Sequence, residues 1–244
     1  MDSINDLYTS CFCEENIWNF TMLIKELTTS SNYEELEITA KQKILNSSFH
    51  VKSIDEVFRY SSLDLENMYV IFISNKEKKV PIWNQRSGSD DSRVAVWDYH
   101  VVALYKGQKF SSSTSIAIVT ASKTNCAADF VNDSLIFDFD SSLPFPSSAF
   151  SYIEKCFAPA IDYPLDYHPM FRVISASDYL SSFASDRSHM LKEGGNGYIT
   201  KPPSYAPIRT DKSTMNLPDF ISMEINSIPS QVKNLQELVE WIQS

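Results

Sequence analysis

The most regular stretch of this sequence is Val94-Ala95-Val96-Trp97-Asp98-Tyr99-His100-Val101-Val102-Ala103-Leu104-Tyr105. Valine and aromatic residues dominate it, and such residues favour the extended, pleated backbone of a β-strand. Successive side chains of a strand point to opposite faces, so the even-numbered residues share one face and the odd-numbered residues share the other. Both faces are mostly apolar, and the stretch therefore predicts a central, buried strand that carries one histidine, His100.

An amphipathic helix is predicted over residues 14–27, upstream of this strand. Its apolar side chains recur at the spacing of one helix face, and they are Ile17, Phe20, Ile24 and Leu27. Glu14 and Glu15 lie in the expected first turn, where negative charge suits the helix dipole. The segment Cys11-Phe12-Cys13 directly precedes them, so we expect Cys13 at the N-terminus of the helix.

The rest of the chain predicts further strands and short helices. Residues 68–73 and 80–83 predict a strand and an edge strand that form a hairpin, and residues 135–140 predict a strand on which Asp138 and Asp140 share a face. The other expected elements are one or two small helices within 31–66, a helix at 150–157, a strand at 171–175, a helix at 178–183 capped by Ser177 or a neighbour, a long loop over 190–218, and a C-terminal helix with Val232, Leu235, Val239 and Ile242 on its apolar face. Since the chain has no internal repeat and no sharp change of composition, we expect residues 1–244 to form a single domain.

The composition argues against several classes of function. Acidic residues outnumber basic ones by 31 to 21, and the one dense basic run, at 76–79, is too short to follow the phosphates of a nucleic acid. No apolar run reaches the length of about 18 residues that a membrane helix needs. Only five glycines occur, and three lie at positions 194, 195 and 197, so no phosphate-binding loop can be built and no nucleotide cofactor is expected.

The cellular location is predicted from the N-terminus and the cysteines. The first residues lack the basic flank and the apolar segment of a signal peptide. Four cysteines in a chain of 244 residues then indicate free thiols in a reducing compartment. We expect a cytoplasmic protein, with the nucleus as a second location.

Cys13 is the first candidate for chemistry. A thiol becomes nucleophilic as the thiolate, and the N-terminus of a helix or a nearby imidazolium favours that form. The plain structural alternative is a small buried hydrophobic residue. A metal site formed by Cys11, Cys13 and a histidine would need a second cysteine pair, which the sequence lacks. We therefore expect no metal.

His100 and a carboxylate form the second candidate. A polar ring in an apolar strand is costly unless it has a hydrogen-bond partner. If residues 94–105 and 135–140 pair as strands, side chains opposite each other come within about 5 Å, which would bring His100 to Asp138 or Asp140. The spacing alone does not distinguish the two acids. A core histidine satisfied by a carboxylate explains the same pattern, whereas Cys13 packed beside the pair would complete a Cys–His–Asp triad.

The segment Trp97-Asp98-Tyr99-His100-Val101 resembles the WDYHV signature of the protein N-terminal glutamine amidohydrolase family. Further segments resemble that family in the same order along the chain, and they are Cys11–Trp18, Phe72–Asn75 with Pro81–Trp83, Phe137–Asp140 with Leu143–Pro146, Phe183–Met190, Met215–Leu217 and Asp219–Met223. The resemblance reaches to about residue 223. Residues 31–62 and 107–132 look longer than the corresponding segments of the family, and these insertions are expected to be loops.

The resemblance implies a papain- or transglutaminase-like α/β fold of the α+β type, with the cysteine-bearing helix packed on a mainly antiparallel sheet. It implies a triad of Cys13, His100 and Asp138, no cofactor and a monomer. The implied reaction converts a free N-terminal glutamine of a protein or peptide to glutamate through a thioester, with release of ammonia. The implied role is to feed the N-degron pathway of protein degradation.

Restriction to the first residue requires a group that binds the substrate's α-ammonium. Four acids are candidates, and the sequence does not rank them: Glu14, Glu15, Asp98 and Asp140. Solvation at the start of a helix is the simpler account of the two glutamates. Asp186, Arg187 and His189 either line the cleft or anchor the proline-rich loop, and we favour the structural role because such a cluster readily forms ion pairs. Two rival functions remain open, a thiol peptidase or transglutaminase-like acyl transferase, and a non-catalytic protein that binds N-termini.

Overall fold

The computed structural model describes residues 7–29, 63–89, 91–107, 134–157 and 162–244. The helices are α1 (Cys13–Thr29), α2 (Ala149–Phe157), α3 (Ala176–Ser182), α4 (Leu217–Ile221) and α5 (Leu235–Gln243). The strands are β1 (Met68–Ser74), β2 (Val80–Ile82), β3 (Ala95–Trp97), β4 (His100–Tyr105), β5 (Leu135–Phe137), β6 (Ser147–Ser148), β7 (Met170–Ser175) and β8 (Ser230–Lys233). Among these residues, no helix is both long and apolar enough to cross a membrane.

An antiparallel sheet of six strands forms the centre of the molecule, in the order β6-β5-β4-β1-β7-β8. Strands β1 and β4 pair from Met68 opposite Tyr105 to Ile73 opposite His100. Strands β2 and β3 form a separate antiparallel pair. The predicted mixed α/β fold with a mainly antiparallel sheet is confirmed, whereas the likeness to papain stays a prediction.

Each face of the six-stranded sheet carries its own apolar cluster. Side chains of α1, α3 and α4 pack on one face with Val101, Ala103 and Tyr105 of β4. Side chains of α2 and α5 pack on the other face with Val102 and Leu104. The predicted alternation of β4 is confirmed, and burial on both faces is the reason that the strand is apolar throughout.

The predicted strand over residues 94–105 is wrong in one respect, because it is two strands in two different sheets. Asp98 and Tyr99 lie between β3 and β4. The Asp98 carboxylate accepts a hydrogen bond from the Tyr99 backbone amide at 2.9 Å, and the Asp98 carbonyl accepts one from the Ser74 hydroxyl at 2.6 Å. A local side-chain bond of this kind competes with a sheet ladder. His100 is therefore the first residue of its strand and lies at the open end of the sheet.

Three other expectations need correction. Strand β2 pairs with β3 and not with β1, so residues 68–83 form no hairpin. Helix α3 begins at Ala176, because the hydroxyl of Ser175 accepts from the Asp178 amide and caps the helix earlier than expected. Val232 lies in β8 and not in the C-terminal helix, because Asn234 and Glu237 form a capping box that begins α5 after the strand.

Several predictions fall on residues that the structure does not describe. The insertion at 31–62 and nearly all of the one at 107–132 lie outside the described residues. The same holds for the small helices expected within 31–66, except that a short 3-10 turn occupies Leu65–Asn67.

Candidate active site

Cys13 is the first residue of α1, as predicted, and the preceding loop is held in place by local hydrogen bonds. The side-chain amide of Asn16 accepts from the Thr9 amide at 2.8 Å and donates to the Thr9 carbonyl at 3.0 Å. The backbone at Cys11 turns through a positive φ of 67°. Cys13 is 5% exposed, whereas Cys11 is exposed. The local sequence thus presents the Cys13 thiol inward from the start of the helix.

His100 and Asp138 are in direct contact at the open end of the sheet. Nε2 of the imidazole lies 2.8 Å from Oδ1 of the carboxylate, and both side chains are buried. The β4–β5 ladder ends with Ala103 opposite Phe137, so Asp138 follows the strand and reaches His100 on a diagonal. Trp97 stacks on the imidazole with ring centroids 4.8 Å apart. The structure therefore pairs the histidine with Asp138, whereas the sequence spacing left Asp140 equally open.

The Asp138 carboxylate accepts hydrogen bonds from four donors. Besides His100, these are the Asp140 backbone amide at 2.9 Å, the Gln85 side-chain amide at 3.2 Å and the Tyr152 hydroxyl at 2.7 Å. Burial by itself raises the pKa of Asp138, but His100 and the other donors outweigh burial and the pKa is lowered. Gln85 and Tyr152 were missed by sequence reasoning, because their spacing from Asp138 carries no motif.

The charged form of His100 is favoured by the acids around it. Burial lowers the pKa of the imidazole, while Asp138, Asp140 and Glu14 raise it, and the net shift is upward. Nε2 is engaged by Asp138, and Nδ1 is buried without a hydrogen-bond partner among the described residues. Nδ1 is thus the nitrogen left to exchange a proton with a nucleophile.

The electrostatics of Cys13 differ from the sequence expectation. Burial raises the pKa of the thiol, and the negative charges of Glu14 and Asp140 raise it further. A hydrogen bond from the Val101 backbone amide, one residue beyond His100, acts in the opposite direction. The thiol lies 3.7 Å from Oε2 of Glu14. The pKa of Cys13 is therefore raised, opposite to the direction expected for a cysteine at a helix N-terminus, because burial and the nearby acids dominate.

Both glutamates of the first turn are fully buried, which excludes the solvated-acid account of them. The Arg187 guanidinium donates two hydrogen bonds, of 2.7 and 2.8 Å, to the Glu15 carboxylate. The guanidinium also donates to the carbonyls of Pro203 and Tyr205. The structural role predicted for Arg187 is confirmed, and both oxygens of the Glu15 carboxylate are already paired with this guanidinium, which makes Glu15 a poorer candidate for binding a substrate ammonium.

Loss of this ion pair should destabilise the fold. Arg187→Met would leave the Glu15 carboxylate buried without its cation, which typically costs about 3 kcal/mol or more. For a chain of this size we expect Tm to fall by roughly 6 to 12 °C in a thermal melt. Arg209→Met makes the same chemical change at an exposed position and should leave Tm nearly unchanged. Equal shifts in the two variants would contradict a structural role for the pair.

The other three acidic candidates lie in different surroundings. Asp98 is exposed, and its carboxylate accepts from the Tyr99 amide. Asp140 is buried and accepts from the Tyr8 hydroxyl at 2.8 Å, and burial is the main reason that its pKa is raised. Glu14 accepts from the Tyr99 hydroxyl at 3.0 Å and lies 3.5 Å from the His189 ring. Only Glu14 contacts Cys13 among these three.

The side chains of His100, Asp138 and Asp140 also form a possible set of metal ligands, with donor atoms all within 4.8 Å of one another. The arrangement fits a metal poorly. Nε2 of His100 points at Asp138 itself, both oxygens of Asp138 accept protein donors, and Asp140 accepts the Tyr8 hydroxyl. These lone pairs face protein donors and not a common centre, so a hydrogen-bonded network accounts for the cluster.

The structure presents a buried thiol at the start of a helix and an imidazole oriented by Asp138, and the charges of Asp138 and Asp140 act on the thiol. A thiol, an imidazole and an orienting carboxylate are the groups that thiol hydrolases use. Residues 8–242 match the family model of N-terminal glutamine amidase. The chain is 30% identical to the protein N-terminal glutamine amidohydrolase of Drosophila melanogaster over 233 residues, or 96% of this chain and 86% of that protein. It is 31% identical to the proteins of the same name from Drosophila grimshawi and Drosophila willistoni, with 86% of each covered. The chain therefore belongs to the N-terminal glutamine amidase family, a family of amidohydrolases.

Proposed function

We propose that this protein hydrolyses the side-chain amide of an N-terminal glutamine, releasing ammonia and leaving an N-terminal glutamate. The relatives that carry this name align with 95 to 96% of the chain. The observation that carries the proposal is the direct His100–Asp138 contact, together with a buried thiol on which the charges of Asp138 and Asp140 act. The substrates would be proteins and peptides with a free N-terminus, and no cofactor is required by the mechanism.

In the first half of the proposed mechanism, Cys13 acts as the nucleophile. The thiol proton moves to Nδ1 of His100 while the sulfur bonds to the carboxamide carbon, and an electron pair moves onto the amide oxygen. The Val101 backbone amide, which favours the thiolate of Cys13, and the unpaired amides of the first turn of α1 are suited to hold this oxyanion. When the intermediate collapses, the C–N bond breaks and ammonia leaves with the imidazolium proton.

Water completes the reaction. His100 takes a proton from water as the oxygen attacks the thioester, the C–S bond breaks, and the proton returns to the sulfur. Asp138 holds Nε2 of the ring and stabilises the imidazolium in both halves. Trp97 fixes the ring plane by stacking. The four donors on Asp138 keep that carboxylate ionised and immobile, so it acts by positioning His100.

The product carries a carboxylate where the substrate carried an amide. A protein that reads N-terminal residues can distinguish the two, and we place the reaction upstream of such a reader in the N-degron pathway. We propose that the enzyme acts as a monomer in the cytoplasm or the nucleus.

Three short peptides test this function. One begins with free glutamine, the second with Nα-acetylglutamine, and the third carries glutamine only in its interior. Ammonia release and mass spectrometry should show conversion of the first peptide alone. Equal conversion of all three would refute restriction to the N-terminus. Cleavage of the peptide bond or transfer to an added amine would support the peptidase or acyl-transferase alternative, and tight binding without conversion would support a non-catalytic binder.

A further inference from the structure

A buried oxygen without a hydrogen bond lies beside the thiol, and it belongs to Glu14. The Glu14 residue is 0% exposed, and its Oε1 has no hydrogen-bond partner among the described residues. Nε2 of His189 lies 3.5 Å from this oxygen, outside hydrogen-bond geometry. The other oxygen, Oε2, accepts from Tyr99 at 3.0 Å and lies 3.7 Å from the Cys13 sulfur.

The contrast with Glu15 shows that this arrangement is incomplete. Glu15, the next residue, is equally buried but has both oxygens bound by Arg187. A buried carboxylate oxygen that lacks a donor is costly, because desolvation of the charge is not offset. The ring of His189 makes two long polar contacts, one of 3.5 Å to Oε1 of Glu14 and one of 3.4 Å to the Tyr99 hydroxyl. Its side chain is 21% exposed, so this is the side of the cluster that opens to solvent.

We propose that Glu14, Tyr99 and His189 bind the α-ammonium of the substrate, so that Glu14 is the residue that restricts the enzyme to N-terminal glutamine. This inference rests on the proposed function. An ammonium group has three N–H donors, and the Glu14 carboxylate, the Tyr99 phenol oxygen and a ring nitrogen of His189 offer acceptors for them. The contacts of His189 to Glu14 and Tyr99 are long, so its ring is free to turn and accept from the ammonium.

The distances suit a glutamine at the first position. Four bonds separate the α-nitrogen from the carboxamide carbon, a span of roughly 5 Å when extended. A carbon in contact with the Cys13 sulfur therefore places the ammonium within reach of Glu14, whose carboxylate lies 3.7 Å from that sulfur. An acetylated N-terminus has neither the charge nor the donors. An internal glutamine also has a peptide chain where the ammonium would lie.

The contact between Glu14 and Cys13 links binding of the α-ammonium to the reactivity of the thiol. In the unliganded protein, burial and then the negative charge of Glu14 raise the pKa of Cys13. Asp138 and Asp140, which follow β5, also act on the sulfur, and the sulfur interacts electrostatically with Tyr99 and with Tyr179 of α3. His189 lies beside Glu14, and His100 beside Asp138. A substrate ammonium on Glu14 adds a positive charge at the nearest acid, which favours the thiolate at the moment the substrate arrives.

A matched pair of substrates tests the assignment. One is a peptide that begins with glutamine, and the other is the same peptide with the α-ammonium replaced by hydrogen. The wild-type enzyme should prefer the first by roughly 10- to 100-fold in kcat/KM, the size expected for a charge-assisted hydrogen bond. Glu14→Gln keeps the shape and removes the charge, so it should slow the first substrate and bring the preference close to one. Glu154→Gln, on an exposed position of α2, should keep the wild-type preference.

The outcomes separate this inference from the proposed function. If the wild-type enzyme converts neither substrate, the proposed function itself fails. If it converts both equally, the α-ammonium is not recognised and the inference is overturned while the proposed function stands. If the wild-type enzyme discriminates and Glu14→Gln slows both substrates by the same factor, Glu14 is only structural and the inference is overturned. Should Glu14→Gln fail to fold, His189→Gln supplies the second variant, and it should reduce the preference by a smaller factor. An unchanged preference in that variant would also overturn the inference.

Thiol alkylation gives a readout that does not depend on turnover. The rate of iodoacetamide reaction measured against pH reports the thiolate of Cys13, with Cys11 and the other cysteines followed separately by peptide mapping. Glu14→Gln should shift the Cys13 profile to lower pH, whereas Glu154→Gln should not. A Cys13 profile that does not move in Glu14→Gln would show that the carboxylate has no influence on the sulfur.

Discussion

Replacing Cys13 with serine should abolish ammonia release from a peptide that begins with glutamine, lowering kcat by at least about 10⁴-fold. A serine hydroxyl at this buried position would have to ionise between Glu14 and Asp140, which already disfavour an anion at the sulfur. The side chains are nearly equal in size, so the fold should persist. Circular dichroism and the thermal midpoint should match the wild-type values while turnover, followed by ammonia release, is lost.

Two other cysteines serve as controls for this substitution. Cys11 is only two residues away but exposed, and Cys156 is buried in α2 on the opposite face of the sheet. Cys156 belongs to the apolar cluster on the other face of the sheet from Cys13, so it is not positioned to attack the same substrate. Cys11→Ser and Cys156→Ser should keep activity within a few-fold of wild type. An active Cys13→Ser enzyme, or an inactive Cys11→Ser enzyme with an intact fold, would contradict the assignment of the nucleophile.

The central strand of the sheet was predictable from sequence because its composition and the apolar character of both its faces indicated the same buried strand. Strand β4 is apolar on both faces, and its alternating residues do divide between the two clusters. The break before it was not predictable from this pattern, since Asp98 and Tyr99 fit the alternation. The carboxylate of Asp98 bonds to the next amide, and that local bond prevents one continuous strand. Periodicity describes the environment of side chains and does not detect such competition.

The sequence predicted the histidine of the site and its acidic partners, but not the groups that surround them. An imidazole on an apolar strand requires a partner, and this requirement pointed to the acids after Phe137. The surrounding donors Gln85 and Tyr152 come from parts of the chain that bear no sequence relation to Asp138, so only the folded structure reveals them. The sign of the Cys13 pKa shift was also not predictable. It depends on whether Glu14 and Asp140 are buried beside the sulfur, and acidic residues at the start of a helix are usually solvated.

Replacing Asp138 with asparagine should reduce kcat by roughly 10³- to 10⁴-fold, the size expected when a carboxylate that orients a catalytic imidazole becomes an amide. An asparagine amide presents one acceptor oxygen and one donor nitrogen to four protein donors. At least one donor then faces another donor, and the imidazolium loses its counter-charge. Asp140→Asn is the matched control, because it lies two residues away and accepts from Tyr8. Asp140→Asn should reduce kcat by roughly tenfold, which corresponds to the loss of about one hydrogen bond to a charged group.

The same substitution should change how stability depends on pH. The pKa of Asp138 is lowered in the folded protein, so its contribution is present above the unfolded value of about 4 and is lost as pH falls through the folded value. The pKa of His100 is raised, so its contribution is complete below the unfolded value of about 6.5 and is lost as pH rises through the folded value. Urea unfolding should therefore show the largest difference between wild type and Asp138→Asn, about 3 kcal/mol, between about pH 4 and about pH 6.5. This difference should become smaller toward lower pH, where Asp138 becomes protonated, and toward higher pH, where His100 loses its proton. A difference that stays constant from well below a pH of about 4 to well above a pH of about 6.5 would mean that the two side chains do not form an ion pair, and Asp138 would then act on His100 only as a hydrogen-bond acceptor.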